Sequence, residues 1–73
     1  MPHTGRRVAE RVTTLRKQRK LSQEALAAKA GIHRVSLANI ERGARQPTLD
    51  TLERLAKALG VPLLRLLTEQ RRT

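Results

Sequence analysis

The sequence predicts an all-α domain made of five short helical segments. Apolar residues recur at spacings of three and four along the chain, which is the period of an amphipathic helix. Serine, threonine, glycine and proline stand between these segments, where they act as helix caps and helix breakers. The chain has 73 residues and no cysteine, so we expect one small domain that helix packing, rather than disulfides, stabilises.

The first helix is predicted from about Gly5 to Arg19. Val8, Val12 and Leu15 recur at spacings of four and three, so one apolar face should pack on the core while the other faces are strongly basic. The beginning of the chain shows no such period. We therefore expect a flexible N-terminal arm over residues 1–5.

The stretch 22–43 predicts two helices joined by a tight turn. Ser22 can cap the first of them, and Gly31 can take the positive φ that ends it. The second helix follows over about 33–42, and Gly43 ends it in the same manner.

The second of these helices has two chemically different faces. At about 100° per residue, Leu37 and Ile40 lie on one side and should pack inward. The opposite side carries Val35, Ala38, Asn39 and Arg42, with Arg34 in the exposed first turn.

Side chains of these types recognise base edges in the major groove of double-stranded DNA. Arginine binds guanine O6 and N7, asparagine binds adenine N6 and N7, and valine or alanine contacts the thymine methyl group. The residues that we predict to read bases are Arg34, Val35, Ala38 and Asn39.

Two further helices are predicted after the loop at 44–47. Thr48 should cap the fourth, whose apolar stripe consists of Leu52, Leu55, Ala56 and Leu59. The fifth follows Pro62 and bears Leu63, Leu64, Leu66 and Leu67. Four leucines exceed what one face of a short helix can bury. We expect Leu63, Leu66 and Leu67 to be able to face the core and Leu64 to be more exposed, and residues 68–73 to form a basic tail.

The charge balance favours a polyanionic partner. The formal charge is +10 at pH 7, from 16 Lys and Arg against 6 Asp and Glu. No apolar run approaches the roughly 20 residues of a membrane span, and no signal peptide is recognisable, so we expect a cytoplasmic protein without membrane partners. The catalytic constellations and phosphate-binding glycine loops of enzymes are missing, and two histidines are a weak basis for a metal site, so neither catalysis nor a cofactor is expected.

Three fragments in order, SQEALAAKAGI, NIERGARQPTLDTL and LAKALGV, resemble the Cro/C1-type helix-turn-helix family, also called the phage-repressor-like or XRE family. The resemblance covers residues 6–67. It implies a compact five-helix bundle of the lambda-repressor-like DNA-binding type, usually a homodimer, whose third helix enters the major groove. Such a dimer would bind a near-palindromic operator, with Leu64 and Leu67 at the dimer interface.

The resemblance also implies roles for single residues. Contacts to the DNA backbone are implied for Gln23 and Arg45, and we also predict them for His33 and Ser36. An ion pair between Arg16 and Glu41 would tie the first helix to the third. The family usually has glycine where this chain has Lys20, at a helix end that often takes left-handed geometry. His33 stands where the family often has serine or threonine, and it could donate to phosphate when protonated.

The function expected is that of a sequence-specific transcriptional regulator, either a phage-type repressor or a restriction-modification controller. In so short a chain we expect no small-molecule effector. One alternative is an antitoxin or adaptor that acts mainly through a protein partner. Another is a basic membrane or RNA binder, which the lack of Phe, Tyr and Trp makes less favourable because no aromatic stacking platform exists.

Overall fold

The computed structural model describes residues 4–67, which form five helices: α1 (Thr4–Gln18), α2 (Gln23–Ala30), α3 (Arg34–Glu41), α4 (Leu49–Leu59) and α5 (Leu63–Leu67). The predicted all-α bundle is thereby confirmed. Helix α1 begins at Thr4, so it includes two residues of the expected arm; helix ends commonly differ by one or two residues from a sequence-based boundary. The rest of that arm and the tail at 68–73 lie outside the described residues.

One core lies between all five helices. The side chains that are fully excluded from solvent at its centre are Val12, Leu26, Leu37 and Leu55, each with 0% exposure. Helix α2 packs on α4 and α3, and α1 closes the other side against α3 and α5. The apolar stripes that the sequence predicted on α1, α3 and α4 are all buried. Because α3 is anchored by Leu37 and Ile40, its opposite side faces away from the bundle.

Each of the first four helices ends in the same backbone arrangement. A residue with positive φ follows the helix, its N–H bonds to the carbonyl three residues back, and the next N–H bonds to the carbonyl five residues back. These two hydrogen bonds satisfy carbonyl groups that have no hydrogen-bond partner within the helix. Glycine supplies the positive φ after α2, α3 and α4, whereas after α1 it is Lys20, with φ 57°.

The position of Leu67 differs from the sequence-based expectation. Leu66 is 1% exposed and Leu63 is partly buried against the core, but Leu67 is 41% exposed and Leu64 66% exposed. A helix of five residues turns about 100° per residue, so with Leu66 at the centre of the buried face its neighbour Leu67 is rotated off that face. Two leucines therefore lie exposed at the end of the bundle.

Among residues 4–67, none of the helices is long and apolar enough to cross a membrane.

Candidate nucleic-acid interface

Helix α3 begins with an unusual cap. His33 precedes the helix in an extended conformation, and its Nδ1 accepts a hydrogen bond from the backbone N–H of Val35 at 3.2 Å. A ring nitrogen that accepts carries no proton, so a neutral His33 bears its proton on Nε2 in this arrangement. His33 therefore serves as the N-cap of α3. Its Nε2–H can donate to a phosphate even when the ring is neutral, whereas the sequence analysis expected this donation from the protonated ring.

The outward side of α3 presents the predicted base-reading residues unequally. Arg34 is exposed, and the side chain of Val35 is 49% exposed, which is high for an apolar residue. Ala38 and Asn39 are partly buried, one turn further along the helix. At about 100° per residue the four side chains form one continuous strip of helix surface, on the side away from the anchoring pair Leu37 and Ile40, with Arg34 at its edge in the first turn.

Asn39 has a partner that the sequence interpretation did not consider. The guanidinium of Arg42 donates from Nη2 to the side-chain oxygen Oδ1 of Asn39 at 2.5 Å. The two residues are three apart, a spacing at which side chains on a helix are neighbours, so the pattern contains a signal for this contact. Arg42 thus belongs to the outward strip, where its side chain contacts that of Asn39.

Behind this strip, a polar network joins three helices. Arg16 of α1 donates from Nε to Glu41 Oε2 at 2.7 Å and from Nη2 to Glu41 Oε1 at 3.0 Å. Its Nη1 also donates to the carbonyl oxygen of Leu21 at 2.8 Å. The side chains of Arg16 and Glu41 are only 12% and 5% exposed, so the ion pair that the family resemblance implied is largely removed from solvent.

Gln23 belongs to the same network. Its Nε2 donates to Glu41 Oε1 at 2.9 Å, so part of the hydrogen-bonding capacity of this amide is used inside the protein. The second N–H of the amide can still donate a hydrogen bond to another acceptor, such as a phosphate oxygen. No local sequence pattern predicts this hydrogen bond, because Gln23 and Glu41 are 18 positions apart.

The loop after α3 holds the remaining predicted contact residues. Arg45 is exposed, and its backbone N–H donates to the carbonyl oxygen of Asn39 at 3.3 Å, which ties the loop to the helix. Ser36 is partly buried and lines a cavity of about 180 Å³ between α3 and this loop, together with Arg45 and Thr48. Ser36 therefore lies on the flank of α3 next to the loop.

The exposed charged side chains of α3 and the loop after it are arginines. From residue 33 to residue 48 the sequence has three arginines and a single acidic residue, Glu41. Glu41 is neutralised from within by Arg16. The three exposed arginines Arg34, Arg42 and Arg45 consequently give α3 and its loop an uncompensated positive charge, which attracts a polyanion.

Comparisons with known proteins place this arrangement in context. The sequence pattern of the family described as Helix-turn-helix, HTH_3, matches residues 13–66. The immunity repressor protein of Bacillus phage phi105 is 44% identical over 63 residues, which are 86% of this chain and 44% of the repressor. The control protein C.SmaI of Serratia marcescens is 46% identical over 63 residues, which are 86% of this chain and 75% of that protein. The chain thus spans less than half of the phage repressor and most of the control protein.

A solved structure repeats the fold. The crystal structure of SinR, the master regulator for biofilm formation, in complex with DNA superposes with a TM-score of 0.80 at 32% identity. The superposition covers 84% of this chain and 98% of the SinR chain.

Proposed function

Because the chain belongs to the helix-turn-helix family HTH_3, of the Cro/C1 type, we propose that it is a sequence-specific DNA-binding regulator of transcription. The observation that carries this proposal is the outward strip of α3. It combines exposed Arg34 and Val35 with two further exposed arginines, Arg42 and Arg45. The one acidic residue between positions 33 and 48, Glu41, is paired with Arg16. A binding surface of this composition fits the major groove, which is wide enough to admit an α-helix.

Within this proposal, the residues of α3 and its flanks divide into two groups. Side chains that read bases are Arg34, Val35, Ala38 and Asn39. Side chains that contact phosphates are Gln23, His33, Ser36 and Arg45. Phosphate contacts set the register of the protein on the duplex, whereas base contacts choose the sequence. The exposed Arg45 and the Nε2–H of His33 are donors suited to phosphate, and the partly buried Asn39 is suited to a close approach of one base edge.

The relatives support the regulatory role. A phage repressor and the control protein C.SmaI are both at least 44% identical to this chain over 63 residues, and SinR has been crystallised with DNA. We infer that this chain acts either as a phage-type repressor or as a controller of a restriction-modification system. The distance between its operator and the promoter then decides whether bound protein represses or activates.

We propose further that the protein binds as a homodimer through α5. Leu64 and Leu67 are exposed there, and a twofold axis next to them would bury both pairs. The two α3 helices would then enter successive major grooves about 34 Å apart, one turn of DNA. Such a dimer requires a near-palindromic operator.

Selection from random DNA duplexes with purified protein tests the function. We expect enrichment of a near-palindromic consensus whose half-sites are centred about one helical turn apart. The selected site then serves as the cognate DNA for binding measurements over a range of salt concentrations. A protein that enriches no sequence above the starting pool would refute the proposed function.

Two exposed arginines provide matched variants for the same experiment. Arg34→Ala should weaken binding to the selected site by about 1 to 3 kcal/mol and change binding to random DNA little, because it removes a base contact. Arg45→Ala should weaken both DNAs alike and reduce the slope of log K against log salt by about one unit. Equal losses for Arg34→Ala on both DNAs would show that Arg34 does not read a base.

A second candidate function is an antitoxin or adaptor that acts mainly through another protein. The exposed Leu64 and Leu67 favour it as much as they favour a homodimer, since either partner would cover them. This function predicts no enriched DNA sequence and no effect of Arg34→Ala on complex formation. The selection experiment therefore separates the two candidates.

A further inference from the structure

We infer that Arg42 determines base specificity through Asn39, by turning the Asn39 position from a reader of adenine into a reader of guanine. The inference rests on the proposed function, in which α3 lies in the major groove. It starts from the one hydrogen bond that joins two side chains of the outward strip, Arg42 Nη2 to Asn39 Oδ1 at 2.5 Å.

An asparagine that reads adenine uses both ends of its amide. The side-chain oxygen accepts from N6–H₂ of the base, and the side-chain nitrogen donates to N7. In this protein the oxygen of Asn39 already accepts from a cation. A hydrogen bond from an ionised donor is about twice as strong as one between neutral groups, so the adenine amino group would compete poorly for the same oxygen.

The bond also assigns the two ends of the amide. With one lone pair of Oδ1 held by Arg42, the Asn39 side chain has two N–H donors and one lone pair left for DNA, and the guanidinium of Arg42 keeps four of its five N–H groups. The combined edge of Asn39 and Arg42 is therefore mainly a set of donors. Guanine presents two acceptors, N7 and O6, to the major groove, whereas adenine presents one acceptor and one donor.

Position in the fold supports a direct role at the groove. Arg42 is exposed and caps the C-terminal end of α3. Its backbone N–H donates to the carbonyl oxygen of Ala38 at 3.1 Å, and the N–H of the following Gly43 donates to that of Ile40 at 3.0 Å. The side chain is thus carried by ordered backbone, next to partly buried Asn39. Arg42 acts as a positioning residue for Asn39 and adds its positive charge beside the base that Asn39 approaches.

The test is selection from random duplexes with the wild-type protein and four variants. Asn39→Ala identifies the base pair that depends on Asn39, as the position at which the preference is lost. Arg42→Met keeps much of the side-chain length and removes the charge and the donors, whereas Arg42→Lys keeps a charge and a donor. Lys57→Met removes the same charge from exposed Lys57 on α4 and is the control for net charge.

At the Asn39-dependent position, the wild type and Arg42→Lys should prefer guanine over adenine by about 5-fold to 100-fold, the range that one good base contact provides. Arg42→Met should lose this preference and shift toward adenine, while Lys57→Met should keep it. A wild-type preference for adenine at this position, a guanine preference that survives Arg42→Met, or no position that responds to Asn39→Ala would overturn the inference. Failure of the wild type to enrich any sequence would instead refute the proposed function itself.

Discussion

Lys20 occupies a backbone conformation that three glycines occupy elsewhere in the chain. Its φ of 57° lies in the left-handed region, and its N–H and that of Leu21 make the same two hydrogen bonds that follow α2, α3 and α4. A side chain with Cβ is strained in this region because Cβ approaches the following carbonyl oxygen. Leu21 nevertheless packs against the core, so the end of α1 keeps its geometry.

Lys20→Gly should therefore stabilise the protein by about 1 kcal/mol, since glycine relieves the contact between Cβ and the carbonyl oxygen. The free energy of unfolding in urea measures this change. Lys20→Ala is the matched control, because it removes the same exposed side chain but retains Cβ. If Lys20→Gly is no more stable than Lys20→Ala, strain at this residue is not the cause.

At the same scale, Asn39 and Gln23 show that a side chain with a role proposed in DNA binding can also be occupied within the protein. Asn39 accepts from Arg42, and Gln23 donates to Glu41. Each amide has only part of its hydrogen-bonding capacity left for DNA. The preference of such a residue for a base or a phosphate then depends on whether the oxygen or the N–H groups of its amide remain available for hydrogen bonding.

At the scale of the helices, the position of α3 depends on a polar clamp and on two apolar anchors. Glu41 accepts from Arg16 of α1 and from Gln23 of α2, so its carboxylate joins the N-terminal part of the bundle to the C-terminal end of α3. The apolar anchors Leu37 and Ile40 fix the depth of the helix. The clamp fixes its direction, because hydrogen bonds of defined geometry restrain rotation about those anchors.

Glu41→Ala should lower the free energy of unfolding by about 3 kcal/mol, because it leaves the guanidinium of Arg16 largely buried without a counter-charge. Glu53→Ala, which removes an exposed carboxylate from α4, should change stability by less than about 0.5 kcal/mol. The combined change Arg16→Met with Glu41→Leu should be less destabilising than the sum of the two single changes, because no charge is then left unpaired. Urea unfolding of these variants, including the single changes Arg16→Met and Glu41→Leu, checks this, and additive effects would contradict a coupled pair.

At the scale of the whole molecule, the outward strip of α3 and the exposed leucines of α5 lie on different helices. The uncompensated arginines lie on α3 and its loop, and the exposed leucines Leu64 and Leu67 lie on α5. Helix α5 packs against α1 and α4. A second copy that covers the leucines would leave the outward strip of α3 in each protomer accessible to DNA, as the proposed regulator requires.

Leu64→Glu should weaken the proposed dimer by at least about tenfold in dissociation constant, because a twofold interface would then contain two charges in place of two buried leucines. Helix packing should be preserved, since Leu64 is 66% exposed in the single chain. Sedimentation equilibrium measures the dissociation constant. Leu49→Glu is the matched control, because Leu49 is 59% exposed and lies at the end of α4 remote from α5. A dimer that withstands Leu64→Glu, or that Leu49→Glu disrupts equally, would place the interface elsewhere.

Local features were predictable from the residues alone. Ser22 and Thr48 cap their helices as expected, the glycines after α2, α3 and α4 take positive φ, and the apolar stripes face the core. Each of these depends on neighbours within about one turn of helix, so the sequence pattern contains the necessary information. The same holds for the outward strip of α3, because the position of Leu37 determines which residues lie opposite.

Pairings between distant residues were decided by the tertiary structure. The bond from Gln23 to Glu41, the donation from Arg16 to Leu21, and the exposure of Leu67 depend on how the helices meet, which no periodicity encodes. Even the local pair Arg42 and Asn39 was only permitted by its spacing, because a side chain with several rotamers needs its surroundings to select one. The sequence therefore specified which surface of the protein is directed outward, and the packing of the helices decided which atoms on that surface remain available to a partner.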